Sequence, residues 1–125
     1  MDRIILTSAE FIDGRIELRP HDLPAILGRS RKCDIMIDDS LLSRQHSEIR
    51  INKAGKVEVR DLESTNLTIV NERDIDVHEL QTGDVILIGE TTIHVELVPM
   101  EDNTDEKTTR DLTMLPGTKD ETVGD

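Results

Sequence analysis

Over the first 98 residues, apolar side chains come in short bursts divided by polar turn residues. Bursts or alternations fall at residues 4–6, 16–18, 25–27, 35–37, 49–51, 57–59, 68–70, 85–88 and 93–97. Three to five residues of this kind, rich in Ile and Val, predict strands. The breaks carry turn chemistry: Asp13-Gly14, Lys53-Ala54-Gly55, Thr82-Gly83-Asp84 and Gly89-Glu90. The clearest hairpin is EIRINKAGKVEVRDL at residues 48–62, where Ile49 and Ile51 share a face with Val57 and Val59. No ten-residue stretch shows a helical stripe. Many short strands at this spacing predict an all-β sandwich or barrel.

After Pro99 the pattern stops. Residues 99–125 are poor in apolar side chains and carry 3 Lys/Arg against 8 Asp/Glu. Such a segment buries too little surface to offset its ordering entropy, so a flexible C-terminal tail is expected. This divides the chain into a domain at 1–98 and an acidic, Thr-rich tail at 99–125. Thr104, Thr108, Thr109 and Thr113 are candidate phosphorylation sites for a Ser/Thr kinase. "DLTML" offers a short apolar cluster.

A length of 125 residues suits a single domain with a real core. That core must be aliphatic, because Phe11 is the only aromatic residue. A net charge of −12 argues against sequence-independent nucleic-acid binding. No apolar run approaches the ~20 residues of a membrane span, and no basic-then-apolar leader opens the chain. Cys33 stands alone, which excludes an intramolecular disulfide and a thiolate metal cluster and suits a cytoplasmic location. Against the acidic background, Arg29, Arg31, Lys32 and Arg44 form a local positive spot able to select a small anion.

Phosphate-loop, metal-ligand and nucleophile-elbow motifs are not found, and neither cofactor nor metal is expected. Ser43 and His46 sit three apart and admit two readings: a nucleophile with its base, or half of an anion grip braced by a histidine. The first also needs an orienting acid and an oxyanion hole, for which a small domain of short strands has little room. No enzyme activity is expected.

An ordered set remains: LGRS at 27–30, SRQH at 43–46, DLESTN at 61–66 and TIVN at 68–71. As a set these motifs resemble the forkhead-associated (FHA) domain, a phosphothreonine-peptide-binding module. The resemblance spans about residues 3–98. It implies a sandwich of about eleven strands with binding loops at one end. It also implies that Arg29 reaches the phosphate, that Ser43 donates its hydroxyl and backbone N–H to it, and that Arg44 adds a second contact. Thr65 resembles the residue meeting the phosphate or the threonine methyl, and Asn66 the one bonding the peptide backbone. Gly28, His46 and Asn71 resemble structural supports of the site. An arginine fork suits this task because it matches phosphate oxygens and stays charged.

Two positions depart from the family pattern. Leu67 and Glu72 stand where glycine is common, directly after Asn66 and Asn71. The resemblance implies a phosphothreonine-dependent interaction module in Ser/Thr kinase signalling. Its expected partners are phosphothreonine-containing proteins, a kinase, or its own phosphorylated tail, with no nucleic acid and no membrane. A competing expectation is a phosphate-independent scaffold in which Leu67 and Glu72 mark a drifted peptide site.

Overall fold

The computed structural model describes residues 2–99. Eleven strands form two sheets: β1 Asp2–Thr7, β2 Arg15–Leu18, β3 Ala25–Gly28, β4 Ile35–Met36, β5 Ser47–Ile51, β6 Val57–Asp61, β7 Thr68–Val70, β8 Arg73–Ile75, β9 Val77–Glu79, β10 Val85–Ile88 and β11 Thr91–Pro99. One sheet runs β2-β1-β11-β10-β7-β8 and the other β4-β3-β5-β6-β9. Helical structure among the described residues is a single 3-10 turn, Pro20–Asp22.

Alternation builds the sandwich. Along β11, Thr91, Ile93 and Val95 are buried while Thr92, His94 and Glu96 face out, the period of two a one-sided sheet requires. Ile4, Leu6, Ile49, Val59, Val70, Ile86, Ile88 and Ile93 fill the space between the sheets, and Phe11 joins them at one end. The 48–62 hairpin forms in the anticipated register, with Ile49 opposite Val59 and Ile51 opposite Val57.

All nine apolar bursts lie on strands, and the structure adds two that the pattern does not reveal. β8 and β9 are short, charged and largely exposed, and each is the last strand of its sheet. Edge strands of this composition resist pairing with another chain, which removes the hydrophobic signal that marks inner strands. The tail and its four candidate threonines, Thr104, Thr108, Thr109 and Thr113, lie outside the described residues.

Register fixes which loops share an end. Leu27 pairs with Ser47, Ser47 with Asp61, and Thr68 with Ile88. The ends of β3, β6 and β10 and the starts of β5 and β7 therefore converge. Loops 29–34, 37–46, 62–67 and 89–90 gather at that end. The turns at 52–56, 71–72 and 80–84 lie at the other.

Candidate functional site

The site grows from one close approach. A Cβ on Gly28 would lie 2.1 Å from the Arg44 carbonyl oxygen, so no other residue fits without moving the backbone. That carbonyl accepts hydrogen bonds from the Ser30 N–H at 3.2 Å and the Cys33 Sγ at 2.9 Å, while the Arg29 N–H donates to the Ser43 carbonyl at 3.1 Å. Loops 29–34 and 37–46 are thereby stitched together at the residues carrying the cations. Burial pushes the Cys33 thiol above its ordinary pKa, so it acts as a neutral donor under the loop.

His46 is fully buried behind Ser43. Its Nδ1 accepts the Ser43 backbone N–H at 3.1 Å, which places the ring proton on Nε2, where it donates to the Leu67 carbonyl at 2.7 Å. Both ring nitrogens are committed to the backbone, so His46 is not positioned as a base for the Ser43 hydroxyl. The arrangement also alters one role implied by the resemblance. The Ser43 N–H is spent on His46, which leaves the hydroxyl as the group Ser43 presents outward.

Two carboxylates, neither singled out in the sequence, fix the loops from below. Asp61 accepts from the Ser64 hydroxyl at 2.5 Å, the Ser64 N–H at 3.1 Å and the Thr68 hydroxyl at 2.7 Å. With the Thr68 proton given to the carboxylate, the Ser47 hydroxyl donates to Thr68 Oγ1 at 2.7 Å. Burial alone would raise the Asp61 pKa, but these donors outweigh it and hold the carboxyl below its ordinary value. Asp39 is held low in the same way: burial is opposed by the N–H groups of Leu41 and Glu90 and by the Thr91 hydroxyl. Gly89, at φ +59°, leaves room for it, since a Cβ there would lie 2.6 Å from Asp39 Oδ2. Asp-x-x-Ser at 61–64 and Asp-x-Leu at 39–41 are turn signatures that could have marked both residues.

Above this framework lies an open hollow of about 790 Å³ lined by Arg29, Lys32, Arg44, Ser30, Ser43, Gln45 and Thr65. Arg29 is exposed, and its guanidinium is anchored by its Nε, which donates to the Leu42 carbonyl at 3.1 Å. Among the described residues none of the three cations is engaged in an ion pair. The Thr65 N–H donates to Ser43 Oγ at 3.0 Å, so the serine's own proton is free to point into the hollow. Three cations and a pre-oriented hydroxyl donor make an anion receptor suited to a phosphate. Lys32 belongs to it as much as Arg44 does, whereas Arg31 is not among its lining residues.

Asn66 is not among the hollow's lining residues; its Nδ2 donates to the Leu41 carbonyl at 2.7 Å and ties loop 62–67 to loop 37–46. Asn71 does not support the site. It lies at the opposite end of β7, where its Nδ2 donates to Asp84 at 2.9 Å and its Oδ1 accepts the Val85 N–H at 3.0 Å. Both departures from glycine keep the left-handed backbone that glycine would favour: Leu67 has φ +69° and Glu72 φ +71°. Loop 62–67 therefore ends in this conformation and carries a leucine in it.

The family model for the FHA domain matches residues 25–89. The oxoglutarate dehydrogenase inhibitor of Corynebacterium efficiens is 48% identical over 62 residues, 50% of this chain and 43% of that protein. The glycogen accumulation regulator GarA of Mycolicibacterium smegmatis is 40% identical over 62 residues, 50% of this chain and 39% of that protein. The chain thus spans under half the length of these curated relatives. Among solved structures, one from a study of phosphothreonine-dependent FHA domain interactions is similar at 31% identity and TM-score 0.69, covering 78% of this chain and 99% of that one. The FhaA FHA domain, solved in complex with the intracellular domain of Rv3910, is similar at 31% identity and TM-score 0.66, covering 74% and 99%.

Proposed function

The chain belongs to the FHA domain family, and from that premise we propose that it is a phosphothreonine-dependent protein-interaction module in Ser/Thr kinase signalling. In this reading Arg29, Arg44 and Lys32 hold the phosphate together with the Ser43 hydroxyl. Thr65 lines the threonine side, and Asn66 fixes the peptide backbone. Gly28 and His46 keep the two loops in place. The observation that carries the reading is the hollow itself, where three cations with no ion pair among the described residues converge on an oriented hydroxyl in an acidic chain.

The module binds and performs no reaction. Support comes from His46, whose ring nitrogens both serve the backbone, and from curated relatives named as an inhibitor and a regulator. Charge-assisted hydrogen bonds contribute about 1.5–3 kcal/mol each, so two or three give a phosphate dependence of about a hundredfold at the least. No described helix is long and apolar enough to cross a membrane. The module acts in the cytoplasm, where kinases supply its ligands. Residues 1–98 form the binding domain, and residues 99–125 form a tail in which Thr104, Thr108, Thr109 and Thr113 accept regulatory phosphates. The phosphorylated tail is one ligand of the domain's own site.

Calorimetry with matched phosphothreonine, phosphoserine and unphosphorylated peptides, the tail sequences included, tests this. Wild type binds the phosphothreonine peptides more tightly than the phosphoserine ones and the unphosphorylated ones not at all, and Arg29→Ala lowers the phosphothreonine affinity about 100-fold. Equal binding with and without phosphate would leave the scaffold reading instead.

A further inference from the structure

β2 closes one side of the six-stranded sheet, paired with β1 and with no strand beyond it. Ser8 donates its N–H to the Gly14 carbonyl at 3.0 Å, and the ladder continues with Thr7 opposite Arg15 and Leu6 opposite Ile16. Antiparallel pairs alternate between bonded and non-bonded, so Gly14, Ile16 and Leu18 turn their backbone groups to β1. Arg15 and Glu17 turn theirs outward, where no other described residue bonds to them. The next outward residue, Arg19, is already used. Its N–H donates to Asp22 Oδ2 at 2.8 Å and its carbonyl accepts the Asp22 N–H at 2.8 Å. The open part of this edge is therefore Arg15 and Glu17.

Charge on an edge strand ordinarily deters a second chain. The charges of β2 are placed differently, since Arg15 and Glu17 flank Ile16, which is only partly buried. Turned antiparallel against a copy of itself about Ile16, the strand sets Arg15 opposite Glu17 on both sides. β8 turned about its own centre would set Asp74 against Asp74, a like-charge pair. Arg3 holds Glu17 at 3.0 Å, whereas Arg15 reaches it only at 3.7 Å and is more than half exposed. Arg15 is thus the cation available to the Glu17 of a second copy.

We propose that β2 is a self-association edge, at which two copies of this chain pair antiparallel about a twofold axis at Ile16 and join their six-stranded sheets into one. The partner is a second copy because the strand is complementary to itself. In this register Arg15 and Glu17 exchange four backbone hydrogen bonds with Glu17 and Arg15 of the copy, which uses every open group on the edge. The two Ile16 side chains meet as the closer, non-bonded pair. The same symmetry brings the turn bearing Ile12, fully exposed in the single chain, toward the Pro20–Asp22 turn of the copy. Antiparallel pairing points the two hollows toward opposite ends, so both stay open. In the phosphopeptide reading, one dimer then bridges two phosphorylated partners.

Sedimentation velocity of the full chain from about 10 μM to about 1 mM reads the association, with amide exchange followed by NMR over the same range. The interface is small, and a dissociation constant on the order of 100 μM is expected. The Arg15 and Glu17 amides, open in the monomer, exchange more slowly as the dimer forms. Arg15→Glu and Glu17→Arg each raise the dissociation constant about tenfold or more, by setting like charges opposite one another. The double exchange Arg15→Glu/Glu17→Arg restores opposite pairs and with them the dimer. Both side chains lie at the surface, and circular dichroism verifies the fold of each variant. A monomer at every concentration overturns the proposal. So does a dimer whose Arg15 and Glu17 amides stay unprotected, one that survives the single reversals, or one that the double exchange fails to restore.

Discussion

At one end of β7 the chain turns through Asn71 and Glu72, both with positive φ, before pairing Val70 with Arg73 in β8. Two left-handed residues are what a two-residue hairpin needs to match the twist of its strands. Asn tolerates that conformation well, and here its side chain is also held by Asp84 and Val85. At the other end, Leu67 adopts nearly the same φ with no comparable turn chemistry, and its side chain stands open beside Asn66. One end satisfies a backbone demand locally. The other carries strain next to the hollow, where strain has a use. The far end is built for folding and the near end for binding, and substitutions should separate the two.

Gly28→Ala should have the largest effect. Its Cβ would collide with the Arg44 carbonyl, lowering stability by about 3 kcal/mol and abolishing phosphopeptide binding. Denaturant melts read the first effect and calorimetry the second.

Asp61→Asn should cost about 2 kcal/mol at pH 7, because Ser64 and Thr68 lose a charged acceptor. The Asp61 pKa is lowered in the fold, so its contribution is complete above the unfolded value of about 3.9 and fades as pH falls through the lower folded one. Wild type and variant should therefore differ in urea midpoint at pH 7 and converge in the acid limb. A constant difference from pH 7 down to full acid unfolding would contradict the assignment. Asp84→Asn at the far end should show the same pH signature, since burial of Asp84 is likewise outweighed by bonds from Asn71, Gln81 and His78.

Asn71→Ala should lower stability by about 1 kcal/mol and leave phosphopeptide affinity unchanged, because its bonds serve residues 84–85 alone. A matching loss of affinity would show that the two ends are coupled.

The smallest changes sharpen the comparison most. Leu67→Gly and Glu72→Gly should each raise stability by up to about 1 kcal/mol by relieving positive φ. Only Leu67→Gly, two residues after Thr65 in the loop beside the hollow, should change phosphopeptide affinity, read by calorimetry.

Much of this was legible in residue order. Alternation located nine strands because inner positions had to be aliphatic. It passed over Arg73–Ile75 and Val77–Glu79 because edge strands use charge where inner strands use Ile and Val. The motif set brought Arg29, Ser43, Arg44, Thr65 and Asn66 to one end, since their spacings are loop lengths between paired strands. Sequence order alone left Asn71 on the wrong side, because only the direction of β7 says that residue 71 is a strand length from residue 67. Which donor His46 takes was equally hidden, as the Ser43 N–H and hydroxyl differ in direction and not in composition.

An ¹⁵N-resolved NMR titration with a phosphothreonine peptide and its unphosphorylated twin tests the central claim most directly. The account predicts saturable shifts at residues 29–32, 43–45 and 65–67 with the phosphopeptide alone, and still amides at 71–72 and 81–85. Shifts centred on the far end, or the same shifts from both peptides, would contradict it.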